Sequence, residues 1–177
     1  MRVIAGAYGG RRLARPAGVQ TRPTSDRVRE ALFSMLGDLE DADVLDLYAG
    51  SGALGIETLS RGAATAVFVD SARAATEAIE SNLRALGARG EVHRRDALDH
   101  LRAAAGARRY DLVLIDPPYD SAVAAGATLS ELLPDVLHPQ AFIVTESHKR
   151  VPLELPFPVV RERTYGDTRI VIHRGRG

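Results

Sequence analysis

The sequence predicts an α/β fold: a seven-stranded, mostly parallel sheet with helices on both faces, an antiparallel last strand and a β-hairpin extension at the N-terminus. The observations behind this are a long alternation, a change of pattern at the tail and an isolated start. From Val44 onward, short apolar runs alternate with longer runs of helical periodicity, which calls for right-handed crossovers between parallel strands. At the tail, Val159–Thr164 and Arg169–His173 flank Tyr165-Gly166-Asp167 and read as an antiparallel hairpin that closes the sheet. At the start, Arg2–Ala7 and Arg11–Arg15 flank Tyr8-Gly9-Gly10, where glycine supplies the positive φ of a tight turn.

The elements follow in order. Pro16–Pro23 reads as a loop, and a helix starts near Thr24-Ser25-Asp26, each of which can cap exposed backbone N–H groups. Val28, Ala31, Leu32, Met35 and Leu36 share one face of that helix, and Gly37 ends it. Strands are expected at Val44–Tyr48, Ala66–Asp70, Gly90–Arg94, Leu112–Ile115 and Ala141–Glu146. Helices are expected near Leu54–Arg61, Ala72–Leu86, Ala97–Ala105 and Val123–Leu137. The chain thus divides into an extension over residues 1–20 and one α/β domain over residues 21–177, with no repeat, linker or low-complexity segment.

Composition sets the outer limits. A chain of 177 residues, 45% apolar and 26% charged, suits one globular core. It has no cysteine, which excludes a disulfide framework and thiolate metal sites and fits a reducing compartment. No apolar run reaches the ~20 residues of a membrane span, and the start lacks the apolar core of a signal peptide, so a cytoplasmic protein is expected. The five histidines lack ligand spacing, so no metal is expected. The net charge is zero, but its distribution is uneven: Met1–Ser25 holds five arginines and no acid. Arg161, Arg163, Arg169, Arg174 and Arg176 repeat the bias at the end. Lys149 is the only lysine, so a coding bias explains the choice of arginine, but not its clustering, which suits phosphate contacts.

A first motif lies in Val44-Leu45-Asp46-Leu47-Tyr48-Ala49-Gly50-Ser51-Gly52-Ala53-Leu54-Gly55: a buried strand, a glycine turn and a helix start. Gly50-x-Gly52-x-x-Gly55 with Asp70 also matches a dinucleotide fingerprint. Asp46, however, places a carboxylate where a pyrophosphate would sit, which repels phosphate and suits the amino group of a zwitterionic ligand. Asp96 adds a carboxylate after the third strand, so Asp46, Asp70 and Asp96 would line one crevice at the carboxyl ends of the strands. There Asp70 can accept ribose hydroxyls and Asp96 an adenine amino group. A helix N-cap is the simpler account of any one of these aspartates, but not of all three together.

A second motif, Asp116-Pro117-Pro118-Tyr119, follows the fourth strand. Two prolines stiffen the turn and hold the preceding residue extended, leaving the Asp116 carboxylate and Pro117 carbonyl as acceptors beside an aromatic ring. This suits a planar base bearing NH₂: the acceptors take its hydrogens while Tyr119 stacks on the ring. An exocyclic amine is a weak nucleophile because its lone pair is delocalised. Hydrogen bonds that turn the lone pair toward a sulfonium methyl would supply positioning and electrostatic stabilisation.

Taken together, Asp46 with Ala49-Gly50-Ser51-Gly52, Asp70, Asp96 and Asp116-Pro117-Pro118-Tyr119 resemble the Rossmann-like class I methyltransferase pattern in its amino-methylating branch. Over essentially the whole chain, Arg2-Val3-Ile4-Ala5-Gly6, Gly10-Arg11-Arg12-Leu13, Thr21-Arg22-Pro23-Thr24 and Arg27-Val28-Arg29-Glu30-Ala31-Leu32-Phe33 are similar to the RsmD family, which methylates guanine N2 in 16S ribosomal RNA. Ser34 departs from the family's asparagine. The resemblance implies S-adenosyl-L-methionine as cofactor, held by Asp46, Gly50, Ser51, Gly52, Asp70 and Asp96, with Arg22 and Thr24 at its methionine end. It implies Asp116, Pro117 and Tyr119 as catalytic residues, and 16S ribosomal RNA or the small ribosomal subunit particle as partner. Arg2, Arg11, Arg12 and Arg15 are expected to grip RNA phosphates, on an arm removable without loss of the fold, the alternative being a hairpin that packs on the core and only stabilises it; the protein is expected to be a monomer. Adenine N6 or a glutamine amide would suit similar chemistry, usually with asparagine at the first position of the turn. A nicotinamide-dependent oxidoreductase would explain the glycine loop and Asp70, but neither Asp46 nor the Asp116–Tyr119 turn.

Overall fold

The computed structural model describes residues 1–18 and 25–175, with the backbone alone at 119–121 and 123. Arg22 and Thr24 therefore lie outside the described residues. In chain order the elements are α1 (Asp26–Leu36), β1 (Asp43–Leu47), α2 (Ala53–Ser60), β2 (Thr65–Asp70), α3 (Arg73–Leu86), β3 (Glu91–Arg94), α4 (Ala97–Ala104) and β4 (Tyr110–Ile115). Then come α5 (Tyr119–Leu132), a 3₁₀ turn (Leu133–Val136), β5 (Leu137–His148), β6 (Val159–Tyr165) and β7 (Thr168–Arg174). The seven strands form one sheet in the order β3-β2-β1-β4-β5-β7-β6. Strands β1 to β5 pair in parallel, and β7 runs antiparallel to both β5 and β6.

Strand alternation sorts the apolar side chains into two layers. Val44, Phe68, Leu112, Leu114, Val144 and Ile170 face α1, α2 and α3, whose Leu32, Phe33, Ile56 and Ile79 complete that layer. Leu45, Leu47, Val69, Val113, Ile115 and Ile143 face α4 and α5 with Leu101 and Leu129. Each fully buried leucine, isoleucine or phenylalanine contributes about 1.5–3 kcal/mol. The strand order reverses between β2-β1 and β4, the place where a doubly wound sheet opens a ligand crevice at its carboxyl edge.

The start of α1 is close to the sequence expectation: Ser25 caps it, its hydroxyl accepting from the Val28 N–H at 3.3 Å. The fifth helix differs. It begins at Tyr119 rather than Val123 because Pro118, at φ −53°, presets the backbone of the first turn. It gives way to the 3₁₀ turn at Leu133 because Pro134 has no N–H to continue the ladder. β5 accordingly starts at Leu137, four residues earlier than Ala141.

The N-terminal arm is shorter in its pairing than the sequence suggests, with a single bridge between Arg2 and Arg12. It is also no detached hairpin. Val3 (0% exposed) and Leu13 belong to the first core layer. The Glu57 carboxylate of α2, itself fully buried, accepts from the Ile4 N–H at 2.7 Å and the Ala5 N–H at 3.1 Å. Of the two readings of the arm, these contacts favour the one in which it packs on the core: apolar burial and the Glu57 hydrogen bonds make it part of the first layer.

Candidate active site

The glycine loop is built to bring backbone close to whatever occupies the crevice. Gly52 caps α2 with φ 76°, in the left-handed region, and a β-carbon there would stand 3.1 Å from Ile79 Cγ1. At Gly55 an added β-carbon would meet Phe68 Cε1 at 2.4 Å, so only glycine lets α2 lie this close to β2. The loop is fixed from both sides by carboxylates. Asp46, 1% exposed on β1, accepts from the Gly55 N–H at 2.9 Å. Asp70, at the end of β2, accepts from the Gly50 N–H at 2.9 Å and the Ala72 N–H at 2.8 Å. The aspartate that the sequence reading assigns to a ligand's ammonium thus also ties the loop to its own strand.

Asp96 caps α4, accepting from the Leu98 N–H at 2.9 Å and the Asp99 N–H at 3.2 Å. Its charge, after burial, is the second cause that raises the Tyr48 phenol, which places Tyr48 beside it. Ser51 faces Met1, its hydroxyl 3.8 Å from the thioether sulfur. The Ser51 carbonyl accepts from the Asn82 amide at 2.9 Å.

At the end of β4, Asp116 is half-buried and Pro117 buried, while Pro118 is exposed at the start of α5. Desolvation pushes the Asp116 carboxyl well above the usual carboxylate range, and the charges of Glu146 and Asp46 push it further. Burial raises the Asp46 carboxyl to about 8, the Gly55 hydrogen bond opposing the rise and Asp70 adding to it. Glu146 (6% exposed), near the end of β5, is a site residue the sequence reading missed. Its signal was a single acid at the end of the strand expected over Ala141–Glu146. Across five adjacent strands in the order β3, β2, β1, β4, β5 stand Asp96, Asp70, Asp46, Asp116 and Glu146. Such a row disfavours phosphate and offers acceptors to cations and to N–H or O–H donors.

The arginines of the arm are distributed unevenly. Arg2 pairs with Asp26 at 3.3 Å and Arg11 donates to the Ala85 carbonyl at 2.8 Å, whereas Arg12 and Arg15 are exposed. At the opposite end of the sheet Asp43, Asp111 and His138 come within 4.8 Å of one another, a grouping that no spacing in the sequence marks. Two of these groups have structural partners: Asp111 accepts the Asp43 N–H at 2.9 Å and Asp43 accepts the Thr65 hydroxyl at 2.5 Å. Among the described residues, no helix is long and apolar enough to cross a membrane.

Comparison with known proteins agrees with this architecture. The family described as "Conserved hypothetical protein 95" matches residues 1–174. Bacillus subtilis YlbH, provisionally named an rRNA methyltransferase, is 41% identical over 187 residues, spanning 100% of both chains. Ribosomal RNA small subunit methyltransferase D of Haemophilus influenzae is 34% identical over 172 residues, 94% of this chain and 89% of that one. The structure of Escherichia coli yhhF, provisionally named a methyltransferase, has a TM-score of 0.84 at 32% identity, covering 100% of this chain and 98% of its own. The chain belongs to the conserved hypothetical protein 95 family, the RsmD and YlbH family, and has the class I S-adenosylmethionine-dependent methyltransferase fold.

Proposed function

We propose that this protein transfers a methyl group from S-adenosyl-L-methionine to the exocyclic N2 of a guanine in 16S ribosomal RNA. The observation that carries the reading is the Asp116-Pro117 turn, set at the carboxyl edge of the sheet two strands from Asp70 and next to the glycine loop of β1. The residues present fit the cofactor: the close backbone at Gly50 and Gly52 suits its sugar, Asp70 its ribose hydroxyls and Asp96 its adenine amino group. The carboxylate row suits a cation. When bound, S-adenosyl-L-methionine supplies a methyl group activated by a sulfonium centre. The chain's own residues do the rest: Asp116 and the Pro117 carbonyl accept the amine hydrogens and aim the nitrogen lone pair, while Tyr119 stacks on the flipped base.

The direct test is nucleoside mass analysis of 16S ribosomal RNA from cells with and without the gene. Loss of an N2-methylguanine supports the reading. Loss of an N6-methyladenine would assign the same turn to adenine, and unchanged RNA would refute it. For the cofactor, Asp70→Ala should weaken S-adenosyl-L-methionine binding about ten- to a hundredfold by calorimetry, as a charge-assisted acceptor worth ~1.5–3 kcal/mol is removed.

RNA is expected to be gripped by the arm. Arg2 and Arg11 are engaged by Asp26 and the Ala85 carbonyl of the fold, whereas Arg12 and Arg15 are exposed to solvent. Replacing Arg12 and Arg15 with glutamine should reduce the logarithmic salt slope of RNA binding by roughly 0.7–0.9 for each phosphate that is no longer neutralised. A slope equal to that of the wild type would remove these arginines from the interface.

A further inference from the structure

The function proposed above uses Asp116 and leaves Glu146 without a role. The parallel register pairs Leu114 with Val144 and Ile115 with Thr145, so the next step along the two strands sets Asp116 beside Glu146. Alternation places them on one face: Leu112, Leu114 and Val144 all belong to the layer under α1 to α3, and Asp116 and Glu146 continue those two rows. One row across, Asp46 pairs with Leu114 and shares the face. Glu146 is 6% exposed and Asp46 is 1% exposed, so water does little to separate these charges.

We propose that Asp116 and Glu146 form a carboxyl pair that shares one proton, so that the pair carries a single negative charge and Asp116 faces the substrate amine as an acceptor. The inference rests on the methyltransferase reading for its use, but the pair itself is a property of the free protein. Two adjacent carboxylates in a poorly solvated site do not both ionise at neutral pH. The rise of the Asp116 carboxyl, with Glu146 as its largest charged neighbour, is the electrostatic trace of that arrangement. Among the described residues, the charged groups facing Asp116 are Glu146 from β5 and Asp46 from β1, and Asp70 of β2 faces Asp46.

The pair gives the reaction a place for its proton. When the amine nitrogen gains a methyl carbon it must lose one hydrogen as a proton, keeping the electron pair of that N–H bond. Asp116 takes the proton, the pair becomes doubly protonated and neutral, and one proton then returns to water to restore the starting state. Before transfer, the pair's single negative charge balances a singly cationic methyl donor. After transfer both partners are neutral, so the buried site gains no net charge. Glu146 is a positioning residue in this scheme: it acts through Asp116 and sets its ionisation.

The test follows the side-chain carboxyl carbons of Asp and Glu by ¹³C NMR across a pH titration of the ligand-free protein. Asp116 and Glu146 should titrate as a coupled pair in two steps, one of them above the ordinary carboxylate range. In Glu146→Gln, the amide removes the negative neighbour, so Asp116 should titrate lower by about one pH unit or more. A role confined to packing would lower activity without moving that midpoint. An Asp116 midpoint unmoved in Glu146→Gln overturns the proposal. If that variant does not fold, Asp116→Asn serves the same purpose: the Glu146 midpoint should fall, and an unmoved one overturns the pair. The titration uses no RNA, so a pair that titrates as expected in a protein that leaves guanine unmethylated would refute the substrate, not the pair.

Discussion

Asp116→Ala should reduce methyl transfer by about a hundred- to a thousandfold or more, the loss seen when a preorganised group at a reaction centre is removed. The effect should fall on turnover, not cofactor affinity. The groups assigned to the cofactor's sugar and base are Asp70 and Asp96, at the ends of β2 and β3, on the other side of β1. Methyl incorporation into RNA and calorimetry with S-adenosyl-L-methionine measure the two separately. Asp116→Asn, which keeps a carbonyl oxygen as acceptor, should retain more activity than the alanine variant. An alanine variant that methylates at the wild-type rate would remove Asp116 from the reaction.

The second large effect concerns the fold. Glu57 is fully buried on α2 and serves three donors: the Ile4 and Ala5 N–H groups and the Arg61 guanidinium at 2.8 Å. Glu57→Ala would strand two backbone donors of the arm and leave Arg61 without its carboxylate. Breaking a buried charged network in this way costs about 3–5 kcal/mol, and for a domain of this size the melting temperature should fall by on the order of ten degrees. Thermal unfolding followed by circular dichroism measures it. A shift of a degree or less would mean that the arm docks without help from Glu57. Deleting residues 1–15 removes Val3 and Leu13 from the core as well and should be harsher, so arm truncation cannot serve to isolate RNA binding.

Much of this architecture was legible because it rests on local, repetitive signals. The β1 run into Gly50 and Gly52 and the capping Ser25 each announce an element within a few residues. The antiparallel tail around Gly166 was equally plain, since turn residues between two β-rich runs admit few other readings. The limits of the fifth helix were missed because Pro118 and Pro134 act oppositely, one starting a helix and the other ending it, although both read simply as breakers. How the arm docks was not legible, for a different reason. Its partner, Glu57, lies more than fifty residues away, and nothing near Val3 or Leu13 says which helix will meet them. Glu146 belongs to the same class: a single acid near the end of a strand becomes informative only when the register sets it beside Asp116.

One side chain joins two parts of the molecule that have separate tasks. Asn82 on α3 accepts from the Ala14 N–H at 2.7 Å and donates to the Ala14 carbonyl at 3.1 Å and to the Ser51 carbonyl at 2.9 Å. The arm that carries the exposed arginines and the loop next to the cofactor therefore share one anchor. Any free energy by which occupancy of the loop steadies that anchor must be returned in equal measure when the arm is held, because linkage between two sites is reciprocal. Amide exchange at Ala14 would then slow when the loop is occupied, and RNA held by the arm would slow departure of the small molecule. In this arrangement the grip of the arm and the occupancy of the loop are coupled through a single asparagine side chain.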